Sequence, residues 1–216
     1  MKKKIKIYLI LGSIFLSGLA VSYGAGTFQP NKWTVKSIVE NVKFTMREEW
    51  KSLGLKEPSV EYDSNVEFVT SVDRCIQWVN FNLDPDQRIP REIILSMAVL
   101  ETGYGKSRFA NEGNNLFGIR TWDDTIPQLK PLGNPDVKWG VRAYKTKCDS
   151  VKHMISTINN HHAYELFREE RSNQLKSNSI DINKQIELLK KWSTNPIYTD
   201  LIKQKVLSIR KVLENA

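Results

Sequence analysis

A mostly helical α+β fold is what this sequence predicts, on three observations. Several stretches repeat apolar residues at the helical period, and two stretches between residues 114 and 144 alternate as strands do. Proline- and glycine-rich punctuation separates the two kinds, which leaves one small sheet in the middle of a helical chain. With 216 residues, 40% hydrophobic and 26% charged, the chain suits one globular domain with an appendage and excludes disorder or a fibrous repeat.

The appendage is residues 1–26, read as a signal peptide or N-terminal membrane anchor. Lys2, Lys3, Lys4 and Lys6 precede an uncharged run from Ile7 to Asn31, whose apolar core is the 15 residues from Ile7 to Val21. Small residues offer cleavage after Ser22, Gly24 or Gly26. An uncleaved anchor fits as well, because a helix through Gly26 is roughly 30 Å long at ~1.5 Å per residue. Either way the lysines stay in the cytoplasm and the remainder is exported to the periplasm or cell envelope, with the N-terminal segment against the cytoplasmic membrane. The formal charge of +8 then loses its nucleic-acid reading: beyond residue 26 the balance is 28 basic against 24 acidic residues, a solubility margin of +4.

Residues 27–64 read as a helical lead-in and linker. Asn31 to Leu53 places Val35, Ile38, Val39, Val42, Met46, Trp50 and Leu53 near one helical face, and Gly54, Pro58 and the polar run to Asn65 follow as a linker. The main domain, 65–216, opens on the capping box Ser64-Asn65-Val66-Glu67, with Val69, Val72, Ile76 and Val79 as its helix's inner stripe. Asp84-Pro85-Asp86 makes a turn. Pro90 then opens a helix that is almost wholly apolar through Leu100 and therefore central. Asn114 to Trp122 and Val137 to Tyr144 are the predicted strands of a small flap. Helices over Cys148–Asn160, Ala163–Asn173, Ile182–Trp192 and Ile197–Leu213 complete the chain. Cys75 and Cys148, on two of these helices, are expected as small buried thiols, with a disulfide as the alternative that an exported protein allows.

Glu101 is the chemical focus. It ends the most apolar helix, just before Thr102-Gly103-Tyr104-Gly105, which must break that helix. The negative end of the helix dipole and burial beside Leu100 both push its pKa upward. A carboxylic acid that is protonated near neutral pH is what a glycosidase needs to protonate a leaving oxygen. His153, His161 and His162 lack the partners for a zinc site, and Gly103-Tyr104-Gly105 follows a helix and lacks the third glycine of a dinucleotide loop. The reading calls for no metal and no cofactor.

Glu101-Thr102-Gly103-Tyr104-Gly105-Lys106-Ser107, followed by Asn114-Asn115-Leu116-Phe117-Gly118-Ile119, resembles the signature of the bacterial glucosaminidases of glycoside hydrolase family 73. That pattern is Glu-Ser-Gly-Trp-Gly-x-Ser and then Asn-Asn-Leu-Phe-Gly-Ile. Within the family the chain looks most like the Bax-type branch, whose Tyr-x-x-Phe-Arg-x-x-Arg stretch Tyr164-Glu165-Leu166-Phe167-Arg168-Glu169-Glu170-Arg171 resembles, while Arg142-Ala143-Tyr144 looks like the family's tyrosine segment and Ser193-Thr194-Asn195-Pro196-Ile197-Tyr198 like the segment before its last helix. Thr102 and Tyr104 depart from the pattern, a hydroxyl for a hydroxyl and an aromatic for an aromatic.

The resemblance implies a lysozyme-like fold in which a helical lobe faces a small β-hairpin lobe. It implies hydrolysis of the β-1,4 bond after N-acetylglucosamine in peptidoglycan glycan strands. It makes Glu101 the general acid, Tyr198 the tyrosine beside the scissile sugar, and Tyr104 and Asn115 further substrate-binding residues, Asn115 by orienting Glu101 or the acetamido group. Phe117 is expected to pack beneath the groove. For a second catalytic carboxylate the candidates are Asp123, Asp124 and Asp136, with Asp123 first, although each reads equally as a turn residue. Without one, the substrate's own acetamido oxygen is the nucleophile. Two other functions compete. A lytic transglycosylase also uses one Glu at a helix end, but usually followed by a Gly-Leu-Met-Gln-type segment where this chain has Asn-Leu-Phe-Gly-Ile. A non-catalytic glycan-binding envelope module would not need the intact Glu101.

Overall fold

The computed structural model describes Ser17, residues 35–42 and residues 56–215, and divides the chain into units 1–56 and 57–216. In the first unit, residues 35–42 are helical with Val35, Ile38, Val39 and Val42 exposed. Apart from Ser17, the predicted export segment lies outside the described residues, as does the rest of the predicted lead-in helix. Among those that are described, no helix is long and apolar enough to cross a membrane.

The second unit is helical with one small sheet. Helix α1 (Asn65–Phe81) starts at the capping box: Glu67 N–H donates to Ser64 Oγ at 3.2 Å, and Ser64 N–H donates to Glu67 Oε2 at 3.0 Å. Its inner face buries Phe68, Val69, Val72, Cys75, Ile76 and Val79. After a 3₁₀ turn at Pro85–Gln87, helix α2 (Arg91–Thr102) buries every residue from Ile93 to Val99. An all-round apolar helix needs neighbours on all sides, and α2 packs on α1 and on the last helix, α7 (Tyr198–Glu214). A short helix α3 (Arg108–Glu112), capped by Ser107, leads to the sheet.

Strands β1 (Arg120–Thr121), β2 (Gln128–Leu129) and β3 (Gly140–Arg142) are antiparallel in the order β1-β3-β2, with Arg120 opposite Val141 and Gln128 opposite Arg142. Each alternating run thus yields one strand much shorter than its pattern, β1 and β3, and β2 comes from the proline- and glycine-punctuated stretch between them. Helix α4 (Lys147–Asn160) packs on α1, and α5 (Glu165–Ser177) and α6 (Ile182–Glu187) lead to α7. The helix predicted over Ile182–Trp192 stops at Glu187, and tight turns carry the chain on, with Leu189 N–H bonded to Ile186 O and Trp192 N–H to Leu189 O.

Two expectations change. Cys75 and Cys148 form a disulfide, with Cα atoms 5.7 Å apart, instead of two buried thiols. The reason is the face-to-face packing of α1 and α4, which sequence separation hides. The stretch 57–63, read as linker, lies on the core: Val60 is buried, Ser71 Oγ donates to Glu61 O at 2.7 Å, and Tyr62 packs edge-on against Phe68.

Candidate active site

Glu101 sits one residue before the end of α2, where the backbone turns sharply. Gly103, Tyr104 and Gly105 all have positive φ, at 60°, 62° and 76°. Gly105 is required twice over, since a Cβ there would lie 2.2 Å from the Tyr62 hydroxyl, which donates to Gly105 O. The buried Thr102 hydroxyl organises this turn. It donates to Ala98 O at 2.6 Å and accepts from Gly105 N–H at 2.8 Å. Either hydroxyl-bearing residue can make this pair of bonds, which accounts for the tolerated Thr.

The Glu101 carboxyl is partly buried. Tyr198, at the start of α7 and only 5% exposed, donates its hydroxyl to Glu101 Oε1 at 2.7 Å. The Trp192 side chain supplies a second hydrogen bond, and Arg120 on β1 adds a favourable charge. Both bonds and the charge lower the Glu101 pKa, but desolvation outweighs them and holds it above the usual carboxylate value. Burial and the Glu101 charge push the Tyr198 hydroxyl far above its ordinary value, so it stays a donor. On the other side, Gly118 (φ 63°) faces Glu101 Oε2: a Cβ there would come within 3.4 Å of that oxygen. Tyr198 thus holds Oε1, and the absence of a side chain at Gly118 leaves room beside Oε2.

Asn115 is buried and does not reach Glu101 directly. Its Oδ1 accepts from Phe117 N–H at 3.0 Å and Ile119 N–H at 3.3 Å, and its Nδ2 donates to Ile119 O and Arg142 O. The amide is spent on fixing the loop that presents Gly118 and on tying it to β3. Phe117 is buried beneath, edge-on to Trp192 at 6.5 Å. Tyr104 turns to the helical side, near Phe68 at 6.3 Å and under the Lys205 ammonium.

The three acidic candidates differ from Glu101 in every respect. Asp123, Asp124 and Asp136 are all exposed. Asp123 Oδ1 accepts from Thr125 N–H at 2.9 Å and Thr125 Oγ1–H at 2.6 Å, which holds its pKa below the usual value. Asp124 lies 3.8 Å from Lys130. No carboxylate is among the charges acting on Glu101. His153 bonds Tyr144 at 2.7 Å, and His161 Nδ1 accepts from Ala163 N–H. No group of His, Cys, Asp and Glu among the described residues is arranged to hold a metal ion.

Sequence reasoning missed Trp192, Gly118 and Arg120 as neighbours of Glu101. Gly118 lay within the quoted Asn-Asn-Leu-Phe-Gly-Ile segment, and its position there was the available signal. Trp192 directly precedes the Ser193–Tyr198 segment, as the last residue of the helix predicted over Ile182–Trp192.

The family model for glucosaminidases, described as mannosyl-glycoprotein endo-beta-N-acetylglucosaminidase, matches residues 83–211. Protein bax of Escherichia coli (strain K12) is 30% identical over 122 residues, which is 56% of this chain and 42% of that protein, so the match spans less than half the relative's length. The crystal structure of the catalytic domain of the autolysin Auto from Listeria monocytogenes aligns with a TM-score of 0.51 at 12% identity, over 78% of this chain and 96% of that domain. That likeness shows a fold shared with the autolysin domain.

Proposed function

The chain belongs to the glucosaminidase family, and on that premise we propose that it is an exported peptidoglycan hydrolase, cleaving the β-1,4 glycosidic bond after N-acetylglucosamine with Glu101 as general acid. The observation that carries this reading is the state of Glu101: a partly buried carboxyl with a raised pKa, bonded by Tyr198 at Oε1 and open towards Gly118 at Oε2. Because Oε1 already accepts from Tyr198, the carboxyl proton resides on Oε2. From there it passes to the leaving glycosidic oxygen as the bond to the anomeric carbon lengthens. Tyr198 and Trp192 then stabilise the carboxylate that forms, which keeps it able to take a proton back from the attacking water.

The engagement of Asp123 with Thr125 favours one essential carboxylate over two. In that mechanism the substrate's acetamido oxygen attacks the anomeric carbon and water opens the resulting ring, an exception to the paired-carboxylate rule. Residues 65–216 act as the glucosaminidase domain, and residues 27–64 lead in from an N-terminal export segment at the cytoplasmic membrane.

Incubating the purified chain with sacculi and analysing the new ends tests the reading. New reducing N-acetylglucosamine supports it. Anhydro-muramic ends replace it with a lytic transglycosylase, and sedimentation with sacculi without release replaces it with a binding module.

A further inference from the structure

A cavity of about 580 Å³ lies away from Glu101 and shares no wall residue with the carboxyl's surroundings. Its size falls in the range of small-molecule sites, roughly 300–1,000 Å³. Its lining combines apolar side chains, Trp78, Leu83 and Ile155, with a polar part formed by Asn159 from α4 and Arg168 and Arg171 from α5.

The polar part is incompletely bonded. Arg171 is 5% exposed, and its Nη1 reaches only Gln87 O at 3.4 Å, while its Nε is buried with no hydrogen-bond partner. Asn159 spends its Nδ2 on the same carbonyl at 2.9 Å, leaving Oδ1 buried and unpartnered. Buried polar groups rarely go unpaired, and an unpaired buried cation is costlier still. The other charges do not fill the gap. Lys152 is committed to Glu57 and Asp149, and Arg168 Nη1 to Ile158 O and His161 O. Asp86, exposed at the rim, acts on Arg171 through its charge without forming an ion pair with it.

An unpaired cationic donor, an unpaired acceptor and apolar side chains within one cavity specify a ligand with an oxyanion, an N–H and an apolar group. We propose that this cavity binds the terminal carboxylate of a peptide or N-acylated amino acid with an apolar side chain. The carboxylate pairs with Arg171, the acyl N–H donates to Asn159 Oδ1, and the side chain lies against Trp78, Leu83 and Ile155. Arg168 and Arg171 belong to the Tyr-x-x-Phe-Arg-x-x-Arg stretch, which the hydrolytic site does not use. The proposal stands apart from the hydrolytic reading, because neither its residues nor its binding measurement involves Glu101.

Calorimetric titration of the full chain with N-acetyl-phenylalanine and with N-acetyl-phenylalaninamide tests it, since the two differ only in the charged terminus. The acid should bind at one site and at least tenfold more tightly than the amide. Arg171→Lys should weaken the acid at least tenfold. Ser156→Trp, an exposed position on the wall, should abolish binding while leaving thermal stability and sugar release from sacculi unchanged. It disturbs none of the buried bonds, so the test survives if Arg171→Lys fails to fold. Equal affinity for acid and amide, no binding of the acid at millimolar concentration, or parental binding by Ser156→Trp would each overturn the proposal.

Discussion

Glu101 and Asp123 are both acidic side chains, one on each lobe, and their surroundings drive them in opposite directions. Glu101 ends a helix that is buried on all sides, so desolvation raises its pKa despite two hydrogen bonds and a nearby arginine. Asp123 sits in a solvent-exposed turn, where the Thr125 amide and hydroxyl stabilise its charged form. The contrast assigns roles that residue type alone does not. The helical lobe holds a desolvated carboxyl, which supports the proposed proton donor, and the β-lobe holds an anion already engaged by the Thr125 amide and hydroxyl.

The sharpest way to break this contrast is Glu101→Gln. The change preserves volume and lets the amide oxygen accept from Tyr198, but it removes the transferable proton. Turnover on sacculi should fall by ~10²–10⁴-fold with the fold intact, as judged by circular dichroism. Activity within tenfold of the parent would remove Glu101 as the acid. The same variant reads the burial cost. A carboxyl whose folded pKa is raised contributes most stability below its unfolded pKa and loses it as pH rises through the folded value. Glu101→Gln should therefore melt higher than the parent at neutral pH, with the gap closing as pH falls towards about 4.

Tyr198→Phe sharpens the helical side of the comparison. The hydroxyl's bond lowers the Glu101 pKa, so its loss should move the alkaline limb of the pH–rate profile upward, because the acid stays protonated to higher pH. Turnover at the optimum should drop about tenfold, the scale of one hydrogen bond to a charged group. A reduced rate with an unmoved limb would make Tyr198 a substrate contact alone. Gly118→Ala probes the facing loop with a smaller effect. The left-handed backbone should cost about 1–2 kcal/mol in stability, and the new methyl beside Oε2 should slow turnover several-fold, on the order of the 1 kcal/mol that misplacing a donor costs.

Legibility followed the range of the interactions. The Ser64–Glu67 box, the stripe on α1 and the all-apolar α2 are local patterns, and the structure bears them out. Glu101's raised pKa was also readable, because a helix end and its apolar neighbours are adjacent in sequence. What failed depends on distant partners. The Cys75–Cys148 bridge needs α1 against α4, and the strap 57–63 needs Tyr62 to meet Gly105 across 43 residues. The β-lobe gave the least, since its strands are two or three residues long and side chains hold it together. Asn115 ties its loop to Arg142 O, and Lys130 reaches Val137 O and Trp139 O. Such bonds leave no periodic trace for a pattern search to find.

The smallest expected effect is the most informative about the second lobe. If Asp123 only closes its own turn, Asp123→Asn keeps an acceptor for the Thr125 amide and hydroxyl, and turnover should stay within about threefold of the parent, the loss of a few tenths of a kcal/mol. Asp124→Asn and Asp136→Asn should behave alike, and a thiazoline mimic of the ring formed by acetamido attack should inhibit strongly. A two-carboxylate mechanism makes the opposite forecast: Asp123→Asn would be nearly as damaging as Glu101→Gln, and the thiazoline would bind no better than the parent sugar. Retaining and inverting enzymes place their two carboxyls ~5–5.5 Å or ~6.5–9.5 Å apart. Asp123 Oδ1 is engaged by the Thr125 amide and hydroxyl, so a base or nucleophile role would compete with the bonds that close its own turn. Complete loss of turnover in a folded Asp123→Asn would give the β-lobe the second catalytic carboxylate and overturn the one-carboxylate mechanism.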